Sequence, residues 1–255
     1  MMVALSLGCG GDRELIAPGG DDARGELVNL SLCAGPCDPV DGCKPTVVIT
    51  HGFNPCPRCF HFTFPQTYAA IIRCRWGSNV NVLFWNWNGD TFVSLRPKVN
   101  AQHAADQGRC LAAALLARGV KPQCTQLIGH SVGCIVMASA AQSLLYRTGE
   151  PVAKLTLLDP LETQHELVFE QLAAYRTVFQ VENIWAPGIS GYGAEAPYPG
   201  VLNIRVPGAT PIRGAINPAL SNHLHVVRWH LDWMRTAEFA LIECCPENAP
   251  SESSV

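Results

Sequence analysis

The sequence predicts an α/β fold: one mostly parallel central sheet with helices on both faces, and three observations carry that expectation. Short β-branched runs alternate with longer stretches of helical spacing from Thr46 onward, the order that builds parallel sheets. The runs are apolar along their whole length, as strands buried on both faces are. The 255 residues with 48% hydrophobic content are enough for one sizeable core and fit a single domain better than two.

Residues 1–45 read as a loop-rich N-terminal segment, since 10–45 are rich in Gly, Pro and Asp with little periodicity, leaving room for one edge hairpin. The folded domain is expected over 46–245. Its first strand is Thr46 to Thr50, ending in His51-Gly52-Phe53-Asn54. Helical spacing follows from Pro65 to Trp76, then a strand from Val80 to Trp87. Ala101 to Arg118 is an Ala/Leu helix with Ala104, Gly108, Leu111 and Leu115 on one face, stopped by Gly119. Gln126 to Gly129 is the next strand and Val132 to Tyr146 the helix after it. Leu155 to Leu158 makes another strand, ending at Asp159-Pro160, where the proline disfavours helical geometry. Thr163-x-x-Glu166 has the form of a capping box that opens a helix. Val178 to Glu182 and Val201 to Val206 are the last strands, and His223 to Phe239 a closing helix. Residues 246–255 are polar and read as a disordered tail.

Net charge is −3 with 15% charged residues and no basic run, which argues against a nucleic-acid partner. No apolar run approaches the roughly 20 residues that cross a bilayer. The opening MMVALSLGCGG resembles the tail of a lipoprotein signal without its basic start, which would make Cys9 a lipidated residue and a peripheral membrane anchor. The other reading is a frayed terminus. Twelve cysteines, with Cys33, Cys37, Cys43, Cys56, Cys59 and Cys74 in the first third, favour disulfides in an exported protein over a cytoplasmic one. Cys56-Pro-Arg-Cys59 with Cys33 and Cys37 is the alternative, as thiolates for zinc, but no second C-x2-C completes it. Cys110, Cys124 and Cys134 fall within expected elements and read as small apolar core residues. The site described next calls for no metal and no cofactor.

Gly129-His130-Ser131-Val132-Gly133 fits G-x-S-x-G between an apolar strand and an apolar helix, the form of a nucleophile elbow. A serine lifted out of a sheet on so sharp a turn leaves no room for side chains two positions either side, a need that Gly129 and Gly133 meet. The same glycines could serve packing alone. Such a serine needs a base, and an acid to orient that base, and one known chain order is serine, acid, histidine. Ser131, Asp159 and His223 occur in that order. His225 and His230 are rival bases, and Glu182 is a rival acid. His223 is preferred because Ser221-Asn222 has the form of a helix N-terminus, which would set it at a loop–helix junction. A negative tetrahedral oxygen would be met by the amides of Val132, after the nucleophile, and Phe53, aimed inward by the His51-Gly52 turn.

The strings ITHGFN, VNVLFWNWNG, QLIGHSVGC, LTLLDP and SNHLHVVRW resemble, in order over about residues 46 to 233, the motifs of the pancreatic-lipase-type α/β hydrolases. The resemblance implies Ser131 as nucleophile, Asp159 as acid ahead of Glu182, His223 as base, and Phe53 and Val132 as oxyanion donors. It also implies hydrolysis of small-molecule or lipid carboxylic esters. No β-sandwich domain follows, and no cysteine pair lies between Glu182 and His223 to close a lid. The Gly- and Pro-rich stretch from Ala186 to Ser221 reads as a loop over an acyl pocket, to which Trp85 and Trp87 are further candidates. A thioesterase or acyltransferase would use the same residues, and a binding protein of the same fold would be expected to lack one of them.

Overall fold

Apolar runs become strands here because each can be covered on two sides. The computed structural model describes residues 25–31, 40–53, 64–87, 97–187, 193–207, 218–236 and 239–242. Seven strands, β1 (Glu26–Asn29), β2 (Thr46–Thr50), β3 (Asn81–Asn86), β4 (Thr125–His130), β5 (Val152–Leu158), β6 (Val178–Trp185) and β7 (Val201–Arg205), form one sheet in the order β1-β3-β2-β4-β5-β6-β7. Only β1 runs antiparallel; every other neighbouring pair is parallel. β2 and β4 are buried at every residue, as their unbroken apolar sequences require, while the edge strand β7 is only partly covered.

Four helices, α1 (Phe64–Trp76), α2 (Pro97–Ala117), α3 (Gly133–Thr148) and α4 (Pro218–Met234), cover the two faces. One core joins α2 and α3 to Leu127, Leu155 and Leu157, and the other joins α1 and α4 to Val47, Ile128 and Leu158. α2 and α3 approach closely at Gly108, where a Cβ would lie 2.3 Å from the Val136 carbonyl oxygen, and Ser139 Oγ donates to Ala105 O (2.7 Å).

A polar ladder runs through the α1/α4 face. Gln126 Nε2 donates to Thr156 Oγ1 (3.1 Å), Thr156 Oγ1 donates to Glu182 Oε2 (3.1 Å), and Lys154 Nζ pairs with Glu182 Oε1 (2.8 Å), all with little solvent access. Beyond it the Tyr68 hydroxyl and His230 Nδ1 are hydrogen-bonded at 2.6 Å.

Four local readings change. β1 lies inside the stretch read as loop, paired to β3 at the sheet edge. Thr163 and Glu166 form no capping box; the chain there takes a 3-10 turn (Glu162–Gln164) and a π-helix (Glu166–Gln171), neither capped by a side chain. α4 starts at Pro218, so His223 sits in its second turn rather than at its start. Cys110 and Cys124 each take part in a disulfide rather than being plain apolar residues, whereas Cys134 is a buried free thiol. Cys9, Cys33, Cys37, Cys56, Cys59 and the tail lie outside the described residues.

Candidate active site

β2 neighbours both β3 and β4, so the chain adds strands first on one side of β2 and then on the other. Such a switch point opens a crevice at the carboxyl ends of the diverging strands, the usual ligand position in open α/β sheets. His51, Gly52 and Phe53 leave β2 there, Ser131 leaves β4, and Asp159 leaves β5 one strand further on.

Ser131 has φ 56°, a left-handed conformation uncommon for a residue with a side chain. Its amide donates to Leu158 O (2.9 Å), which ties the turn to the end of β5. The glycines around it are sterically required. A Cβ on Gly129 would lie 2.5 Å from Gly133 O, one on Gly133 2.5 Å from His51 O, and one on Gly52 2.6 Å from Ser131 Cβ. Gly52 therefore lets the loop after β2 press directly on the serine. Val132 precedes α3, whose first turn carries no side-chain cap, and the first amides of a helix have no partner within it.

Asp159 is also left-handed, at φ 51°. Its amide donates to Ile184 O (2.8 Å), its Oδ1 accepts from the Ala186 amide (3.0 Å), and its Oδ2 accepts from His223 Nδ1 at 2.6 Å. Both partners of that last bond are buried, Asp159 at 1% and His223 at 5% exposure. His130 reinforces the arrangement from β4: its Nε2 donates to His223 O (3.2 Å) and the two rings lie 4.5 Å apart. Asp159 and His223, 64 residues apart, are thus brought together beside the turn that carries Ser131.

Two of the rivals are engaged elsewhere. Glu182 lies in the middle of β6 and belongs to the Lys154 pair. His230 is bound to Tyr68 across α1 and α4, and burial holds it at a pKa of about 3. His225 is half-buried, five residues before His230 on α4.

The loop after β2 is anchored by a residue read only as a pocket candidate. Trp87 Nε1 donates to His51 O (3.1 Å), and its ring stacks on the His51 imidazole at 5.7 Å. Trp85 is core, with Nε1 donating to Gln107 Oε1 (3.1 Å). Burial lowers His51 to a pKa of about 4 and pushes His130 well below the ordinary histidine range, so both rings are neutral near pH 7. Cys134 lies beneath the turn, its Sγ–H donating to Gly129 O (3.2 Å), and burial pushes its thiol pKa up.

The fold resembles that of solved structures. An α/β serine hydrolase homologue from Coxiella burnetii superposes with a TM-score of 0.51 at 12% identity, covering 88% of this chain and 96% of that one. The chain has the α/β-hydrolase fold. A predicted CIB-like hydrolase from Thermoplasma acidophilum (14% identity, 83% of this chain and 92% of that one, TM-score 0.48) and an esterase from Thermogutta terrifontis (14%, 86% and 91%, 0.43) are more distant in shape. No protein-family model and no curated protein matches the sequence. The α/β-hydrolase fold accounts for the left-handed serine turn between a central strand and a helix, since that turn raises a side chain above the sheet's carboxyl edge.

Proposed function

We propose that the protein is a serine hydrolase of carboxylic esters that acts through an acyl-enzyme on Ser131. The observation that carries this reading is the buried 2.6 Å bond between Asp159 and His223 beside a serine held in left-handed geometry. With Nδ1 turned to Asp159, His223 Nε2 is the ring nitrogen that would take the Ser131 proton as Oγ attacks the acyl carbon. The Asp159 carboxylate stabilises the resulting imidazolium. The amides of Phe53 and Val132 are the donors proposed for the tetrahedral oxyanion. His223 then returns its proton to the leaving alcohol, and water, deprotonated by the same imidazole, cleaves the acyl-enzyme to release the acid.

An apolar acyl group suits the surroundings, because the side chains of Phe53, itself a proposed oxyanion donor, and Leu224, next to His223, are 38% and 41% exposed. The likeness of the five sequence motifs to the pancreatic-lipase type supports the same substrate class. Attachment to a membrane through Cys9 is a separate proposal, and it would bring the enzyme to lipid esters. The test is hydrolysis of p-nitrophenyl butyrate and palmitate by the wild type and Ser131→Ala. The variant should lose at least about 10³-fold in kcat with the fold intact, and the butyrate-to-palmitate ratio sorts esterase from lipase. A wild type inactive on both esters, or a variant that keeps its rate, defeats the reading.

A further inference from the structure

A short strap of chain, Gly193 to Tyr198, passes over the Asp159 carboxylate, and more bonds hold it than an ordinary connection has. Gly193 has φ 37°, and a Cβ there would lie 2.0 Å from Asp159 Oδ1 and 2.9 Å from Ala186 O, so its bare backbone lies against the acid. Asn203 on β7 treats Ala196 as a strand partner would: its Oδ1 accepts from the Ala196 amide (2.8 Å) and its Nδ2 donates to Ala196 O (2.9 Å). Asn183 on β6 adds two bonds, from Nδ2 to Asn203 Oδ1 (2.8 Å) and to Ala194 O (2.9 Å). The far end is pinned by Tyr198, stacked on Phe169 at 5.0 Å and Tyr175 at 5.8 Å, its hydroxyl donating to Glu170 Oε1 (2.9 Å).

We infer that Gly193 and Asn203 are positioning residues of the Asp159–His223 pair: Asn203 fixes the strap so that the Gly193 backbone seals the carboxylate from water. The inference rests on the hydrolase reading for calling the pair catalytic. A carboxylate with two good partners can be buried, and with water excluded its attraction for an imidazolium is strengthened. Glycine is required because any side chain would strike Oδ1. Loosening the strap admits water to Oδ1 and weakens the carboxylate's hold on the Nδ1 proton of His223. The other titratable groups facing the pair do not interfere. His130 from β4, Cys134 from α3 and His165 from the turn after β5 are all neutral near pH 7, because burial lowers both histidines and raises the thiol. His51, which acts on His130, is neutral there as well.

The experiment is nuclear magnetic resonance of the 15N-labelled full chain, following the exchange of the His223 Nδ1 proton with water, in wild type, Asn203→Ala and Tyr198→Ala. Both variants should speed the exchange by about tenfold and reduce kcat with little change in KM. Tyr198 is only partly buried, so that variant decides the matter alone if Asn203→Ala does not fold. An exchange rate equal to wild type in a folded variant overturns the inference. That readout needs no turnover. Failure of Ser131 to label with a fluorophosphonate would instead count against the hydrolase reading and leave the strap result standing.

Discussion

At the scale of single residues, the site is built from conformations the chain would otherwise avoid. Ser131 and Asp159 both sit at positive φ, and asparagine or aspartate tolerates that region better than serine does. The strain at Ser131 should therefore be recoverable. Ser131→Gly is expected to be inactive yet more stable by about 1 kcal/mol, the usual penalty for a side chain in the left-handed region. Urea unfolding checks it; a variant less stable than wild type would mean that the serine side chain holds the turn. The G-x-S-x-G spacing was legible at this scale because its cause is local: a Cβ at Gly129 would meet the Gly133 carbonyl oxygen only four residues on. The matching need at Gly52 was read only as a tight turn, since its obstacle, Ser131, comes from another strand.

At the scale of elements, close approach and buried polarity each carry a test. Gly108 was read on the buried face of its helix with Ala104, Leu111 and Leu115, and the structure adds that the α3 backbone passes directly against it. Alanine normally gains helix stability over glycine, by up to about 1 kcal/mol. Here the added methyl must push two helices apart, so Gly108→Ala should destabilise by about 1–3 kcal/mol net, read as a lower Tm. The Lys154–Glu182 pair makes the opposite point about charge. Lys154→Met should cost about 3–5 kcal/mol by stranding Glu182, whereas Lys154→Met with Glu182→Leu should recover most of it. If the double variant is no better than the single one, the ladder through Thr156 and Gln126 contributes more than the ion pair. The start of α4 and the π-helix after β5 were misjudged because side-chain capping patterns were taken as boundaries, and neither short helix after β5 is capped by a side chain.

For the whole molecule, the consequence of burying histidines is acid sensitivity. His51, His130 and His230 are buried and neutral, with His51 at about 4, His230 at about 3 and His130 well below its ordinary value. In the unfolded chain each titrates near 6.5. Their contribution is therefore complete above pH 6.5 and is lost as pH falls toward 4, because the unfolded state takes up protons that the folded state refuses. Three such groups give a slope approaching about 4 kcal/mol per pH unit in that window. The urea midpoint should drop clearly from pH 7 to pH 5, and His230→Gln should flatten the dependence; equal midpoints at the two pH values would contradict it. Most of the fold was legible at this scale, since alternating apolar strands and helices of these lengths can close only by layering helices on both sides of a parallel sheet.

The sequence by itself determined the strands from Thr46 to Arg205, the helices α1, α2 and α3 between them and the glycine spacing around Ser131, because period, propensity and local sterics act between near neighbours in the chain. Only the tertiary structure decided that His223 rather than His225 or His230 meets a carboxylate, that the carboxylate is Asp159 while Glu182 pairs with Lys154, and that Gly193 lies on its oxygen. Those outcomes depend on which side of the sheet a side chain faces and on what packs over it. Several residues of the right type stand at suitable places along the chain, and burial, which demands a partner for every charge, selects among them only once the sheet is assembled.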